Sequence, residues 1–270
     1  MHPTSLGAAA LLTAVLGTAC RPADPAPIDL SRLELVDLSH AYGPATLYWP
    51  TSPTAFRLDT LAAGLTPGGF YYSAFTLSTP EHGGTHLDAP VHFHEGGLPA
   101  DRIALDRLIA AAVVIDVTGQ ASRDPDYRLA VADIEAFERE NGAIGAGTMV
   151  LLRTGWSAHW GNRKAYFGDD TPNDATNLHF PGYGAEAARF LVEERRVAAL
   201  GVDSPSVDHG PSQDYPVHRI TAPAGVPNFE NLTSLDRLPP TGAFVAALPM
   251  KIEGGSGAPL RAVALVPQRP

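Results

Sequence analysis

The chain has one cysteine in 270 residues, Cys20. A single thiol excludes an internal disulfide, so the domain that follows must be held by its core and by any ion it binds. Cys20 is also remote in sequence from every other candidate ligand, which argues against a thiolate metal site. Positive charge is scarce: 19 Lys and Arg stand against 29 Asp and Glu. With no basic cluster to meet phosphates and a formal charge of −10, nucleic acid is excluded as a partner. There is no G-x-S-x-G turn to raise a serine nucleophile. Internal repeats, low-complexity tracts and interdomain linkers are missing too. What remains, 44% hydrophobic and 18% charged, reads as globular, with length for one large domain or two small ones.

The N-terminal apolar run LGAAALLTAVLGTAC is too short to span a membrane comfortably and gives way to the proline-rich RPADPAPID. This pattern predicts a signal peptide over residues 1–20, a flexible linker over 21–32 and the working domain over 33–270. Leu16 to Cys20 resembles a bacterial lipobox. The expectation is export to the periplasm or cell envelope, with a lipid anchor on Cys20 as the one membrane contact.

From Leu33 onward short apolar runs with strand character alternate with helical patterns. LELVDLSH, AAVVIDVTG, MVLLRTGW, VAALGVDS, AFVAALPMKI and RAVALVP are bounded by Gly, Pro, Asp or Ser. VADIEAFEREN, stopped by Asn141-Gly142, and YGAEAARFLVEERR are amphipathic helices. The fold class is therefore α/β, mixed α and β. Between Thr154 and Phe180 no period is visible, and a loop of that length is uncommon unless functional. It reads as a wall of a substrate pocket, with Trp156, Trp160, Tyr166 and Phe167 as candidates to stack on a planar ligand.

Four of the ten histidines fall within EHGGTHLDAPVHFHEGG, Glu81 to Gly97. His and carboxylate side chains are the donors that Zn²⁺ or Mn²⁺ accepts. Gly83, Gly84 and Thr85 are poor helix residues, which disfavours a helical His pair at 82 and 86. In an extended chain His82, His86, Asp88 and His92 share parity and point to one face. His86 and Asp88 then lie roughly 6.5–7 Å apart, within reach of a shared ion, whereas His82 and His86 lie roughly 13 Å apart. The chain should therefore bend at Gly83-Gly84, where absent Cβ atoms allow it. Pro90 ends regular pairing and can swing His92 toward the ion without making it a ligand.

These residues, HGGTHLDAPVHF, resemble the His-x-Gly-x-His-x-Asp-x-Pro-x-His signature of the metal-dependent cyclase-like hydrolases, the family of isatin hydrolase and bacterial kynurenine formamidase. The resemblance implies that His82, His86 and Asp88 bind metal and that His92 transfers protons. It also implies a second ligand pair twelve residues apart, which His218 and Glu230 in YPVHRITAPAGVPNFENL match. Trp49, beside Pro50, corresponds to a substrate-contacting tryptophan. The family fold is a mixed sheet curved into a barrel-like core with flanking helices, the swivelling β/β/α fold, and the family likeness implies a homodimer. Mn²⁺ and Zn²⁺ both suit the donors, the first by likeness to isatin hydrolases and the second by likeness to formamidases. His209 is expected to line the substrate side, His40 reads as a turn histidine, and His94 as solvated or as a residue behind the ligands.

A metal-dependent amidohydrolase acting on a small aromatic amide follows. The DHGPSQDYPVH stretch with NFENL favours ring-opening of a cyclic amide, as in isatin hydrolase, over deformylation of N-formyl-L-kynurenine. A different class, a metal- or solute-binding lipoprotein without turnover, is distinguished by His92, which a purely structural metal site does not require.

Overall fold

The computed structural model describes residues 29–268, so the expected leader and the linker up to residue 28 lie outside the described residues. From Ser31 onward the described chain forms one unit. Its strands are β1 (Leu33–Asp37), β2 (Arg57–Leu65), β3 (Tyr71–Ser78), β4 (His86–Asp88), β5 (Ile109–Asp116), β6 (Arg128–Leu129), β7 (Met149–Arg153), β8 (Gly182–Tyr183), β9 (Ala199–Val202), β10 (Asn228–Glu230), β11 (Ala243–Pro249) and β12 (Gly257–Pro267).

Seven of these close into a mixed barrel in the order β12-β11-β5-β7-β9-β10-β4, with β4 returning to β12. β5, β7, β9 and β10 run parallel; the other pairings are antiparallel. Parallel neighbours need crossovers, and the helices and the long segment after β7 supply them. β12 exceeds the expected RAVALVP run because one edge serves two partners. Gly257–Pro259 pair with β4 and close the barrel, while residues 263–267 pair with β1.

Successive residues on β5, β7 and β9 are buried on opposite sides, which is why these three strands read as continuous apolar runs. Ala112, Val114, Leu151, Ala199 and Phe229 pack in one cluster with Ala247, Ala262 and Ala264. Val113, Ile115, Val150, Leu152, Leu200 and Val202 pack in a second cluster against Ile134, Phe137 and Leu191. The alanines of β11 and β12 suit a small barrel, whose interior must be filled without crowding.

The helix Val131–Asn141 coincides with the amphipathic VADIEAFEREN pattern. Asp133 accepts the Ala130 amide at its start, and Gly142 at φ 88° ends it. The second pattern is helical only over Ala185–Arg189 and widens into a π-turn over Phe190–Glu194. There Arg195 donates to Glu138 and lies over the Phe190 ring. The aperiodic segment after β7 contains a 3₁₀ turn, Trp156–His159, and a short helix, Arg163–Phe167. The β2–β3 hairpin was not expected: its side chains are exposed on both faces, so its sequence lacks the alternation that marks a half-buried strand.

Candidate metal centre

Strand β4 carries the first ligands. His86 and Asp88 point to one side while Leu87 between them is fully buried in the core on the other. β10 lies antiparallel to β4 with Glu230 directly opposite His86, so pairing alone brings a third donor to the same face. The chain turns through Gly83 (φ 143°) and Gly84 (φ 59°), returning His82 to Asp88. A Cβ at Gly83 would lie 2.1 Å from the Tyr48 ring and one at Gly84 2.5 Å from the Tyr42 ring, so both positions require glycine for space as well as for backbone angle. His218 enters from the helix Pro216–Thr221.

Asp88 divides its two oxygens between two groups of donors. Oδ1 lies 2.6 Å from His82 Nδ1 and 3.2 Å from His86 Nε2; Oδ2 lies 3.0 Å from His218 Nε2. Glu230 spans the same two groups, 3.5 Å from His86 Nε2 and 3.3 Å from His218 Nε2. His82, His86 and Asp88 form one set that could hold a divalent ion, and Asp88, His218 and Glu230 form another. Donors bonding one ion at about 2 Å stand close to 3 Å apart, so the spacing, the nitrogen and oxygen chemistry and the burial all fit Zn²⁺ or Mn²⁺. Burial would by itself lower the His86 pKa, but Asp88 and then Glu230 raise it to about 9. Burial likewise opposes the charged form of His218, and hydrogen bonds with Asp208, Asp88 and Glu230 raise it well above its usual value. Asp88, which burial would raise, is held well below the usual carboxylate range by His86 and by hydrogen bonds from His218 and His82.

The donors floor a cavity of about 310 Å³, walled by Leu47, Trp49, Phe93, Phe167, Pro205 and Tyr215. His92 opens into it from the 3₁₀ turn Pro90–His92, its ring stacked on His82 at 3.9 Å between centroids. Desolvation lowers the His92 pKa to about 4 although Asp88 pulls the other way, leaving a neutral imidazole able to accept a proton at neutral pH. Trp49 lines the cavity and meets Phe167, Phe180 and Tyr215 edge-on. Of the four aromatics expected to stack on a ligand, only Phe167 reaches the cavity. Tyr166 is fully buried and bonded to Asn231, and Trp156 and Trp160 pack behind it.

His209 does not line this cavity; it borders a separate cleft with Asp124, Asp126, Tyr127 and Arg128. Asp208 bridges to Tyr183 of β8 in extended backbone and turns its side chain inward to His218, so the next residue points away. His40 is also outside, stacked flat on Trp160. Sequence reasoning missed Phe93, whose ring covers His218 at 4.4 Å, and Tyr215. It missed Asp208 as well, and the link from His82 Nε2 through Ser256 Oγ to Glu81.

The profile described as "Putative cyclase", that of the Cyclase family, matches residues 36–209. The chain belongs to the cyclase family and is a metal-dependent hydrolase of that family. Within it the chain is 36% identical over 197 residues to isatin hydrolase of Roseibium aggregatum, covering 70% of this chain and 73% of that one. It is 30% identical over 231 residues to kynurenine formamidase of Salinibacter ruber, covering 86% and 97%. The solved structure of isatin hydrolase A from Labrenzia aggregata bound to benzyl benzoate superposes with a TM-score of 0.80 at 32% identity, over 88% of this chain and 95% of that one.

Proposed function

We propose that this hydrolase opens the C–N bond of a small, neutral, cyclic aromatic amide of the isatin type. The observation that carries this reading is the cavity lining. Aromatic and aliphatic walls stand over the ligand cluster, and none of the lining residues is Lys or Arg. A planar neutral amide needs only those walls, whereas the amino-acid end of N-formylkynurenine carries a carboxylate that no Lys or Arg among the described lining residues would pair. The kynurenine formamidase likeness, with Trp49 in the wall, is the competing reading.

His82, His86, Asp88, His218 and Glu230 would hold the metal, Mn²⁺ or Zn²⁺. A divalent ion there supplies an acidified water and a Lewis acid for the carbonyl oxygen. His92 accepts the proton of the attacking water as the new C–O bond forms. As the C–N bond breaks, His92 returns that proton to the departing nitrogen. Trp49, Phe93 and Phe167 flank the substrate ring and keep bulk water from it. Hydrolysis of isatin and N-formylkynurenine, measured side by side on metal-replete and chelator-treated protein, tests the reading. Metal-dependent turnover with kcat/KM at least about tenfold higher for isatin is expected, since one lost charge pairing is worth more than that. Preference for N-formylkynurenine would replace this reading with the formamidase one.

Two further proposals rest on other features. The leader pattern ending in Thr18-Ala19-Cys20 supports export and a lipid anchor; a membrane-fraction protein whose mass lacks lipid on Cys20 would remove the anchor. The β2–β3 hairpin exposes Leu61, Leu65, Phe70, Tyr71 and Phe75, and this supports a homodimer in which a second copy covers it.

A further inference from the structure

Asp208 is buried, does not line the cavity and belongs to neither ligand set. Both of its oxygens nevertheless face the segment that brings His218 to the centre. Oδ1 accepts the Val217 amide at 2.8 Å, and Oδ2 accepts the His218 amide at 3.2 Å and His218 Nδ1–H at 2.6 Å. A carboxylate only accepts, so the Nδ1 of His218 must be the protonated nitrogen. When His218 is neutral, as a ligating imidazole must be, the lone pair is therefore on Nε2, which points between Asp88 Oδ2 and Glu230 Oε1. The arrangement is asymmetric across the centre. His86 turns its Nδ1 to a neutral backbone carbonyl, Gly84 O at 3.0 Å, and His82 reaches Glu81 only through the Ser256 hydroxyl, while His218 bonds a carboxylate behind it directly.

We propose that Asp208 is a positioning residue: it fixes the tautomer and ring orientation of His218 and thereby governs occupancy of the half of the centre built from His218 and Glu230, leaving the His82, His86 and Asp88 half intact. This inference rests on the metalloenzyme reading above and adds that the two halves load separately. A carboxylate behind a ligating imidazole typically contributes 10- to 100-fold in metal affinity.

The test compares wild type with Asp208→Asn, which keeps the volume and an acceptor for the helix amides but loses the charge. Zn²⁺ and Mn²⁺ content is measured by elemental analysis across a range of buffered free metal. Wild type is expected to take up two ions and Asp208→Asn one, with the second bound 10- to 100-fold more weakly. Nitrogen–proton correlation spectra of zinc-loaded wild type should show a slowly exchanging proton on His218 Nδ1 and none on Nε2. That measurement stands even where the variant fails to fold. Asp208→Asn that binds both ions as wild type does, loses both alike, or a His218 proton on Nε2 would overturn the positioning role while leaving the metalloenzyme reading in place. Wild type that binds no ion would overturn both.

Discussion

Without an ion, protons hold the ligand set together. His86, raised to about 9, carries a second proton at pH 7, on the nitrogen that faces Asp88 and Glu230. An ion that takes this nitrogen must displace that proton. Metal uptake at pH 7 should therefore release protons, and affinity should climb as pH rises from 7 toward about 9. Calorimetry in buffers of different ionisation enthalpy checks this; uptake at pH 7 without proton release would contradict it. The residues near position 86 were readable in the sequence because parity and a glycine bend are local properties. His218 and Glu230 were reachable only through family resemblance, since 130 residues separate His218 from Asp88 and barrel closure makes the contact. Asp208 gave no sequence signal of its own: an aspartate in a polar loop looks alike whether it faces solvent or a ligand.

At the scale of elements, β8 and the strand-like segment through Asp208 form the frame that sets the second ligand pair. Gly182 in β8 makes this frame possible. A Cβ there would lie 2.7 Å from the Asp208 carbonyl carbon, the His209 amide nitrogen and the Val207 oxygen, all backbone atoms with no rotamer to yield. Gly182→Ala should cost about 1–3 kcal/mol, the usual penalty for overpacking, seen as a lower urea midpoint at constant slope. Unchanged stability would mean that the 207–209 segment moves freely, and its role as a frame would fail. The parallel strands β5, β7 and β9 were legible because they are buried on both sides, whereas the three-residue strands β4 and β10 are too short to show a period. The π-turn at Phe190–Glu194 was not legible either, because its residues have ordinary helical propensity and nothing in the local sequence marks where the helix widens.

Among the described residues the β2–β3 hairpin has no core of its own. A two-stranded hairpin is marginal alone in water, and β2–β3 exposes Leu61 at 68% and Leu65 at 81%. On the proposal that a second copy covers it, replacing Leu61 and Phe75 together by Asp should turn a dimer into a monomer at micromolar concentration, read by sedimentation velocity. A wild type that sediments as a monomer, or a variant that still dimerises, would count against the hairpin as the interface. Periodicity could not reveal this surface, since strands exposed on both faces carry no alternation pointing to a core.

On the proposed mechanism one short segment divides its labour, with His82, His86 and Asp88 for metal and His92 for proton transfer. His92→Ala tests it most directly, with bound metal and turnover measured on the same sample. His92 makes no hydrogen bond to the ligand cluster and meets it only through ring contacts, so metal content should stay near that of wild type. The rate should fall roughly 10²- to 10⁴-fold, the contribution of a general acid–base. An emptied site would make His92 a ligand, and an unchanged rate would remove it from the chemistry; either result contradicts the account.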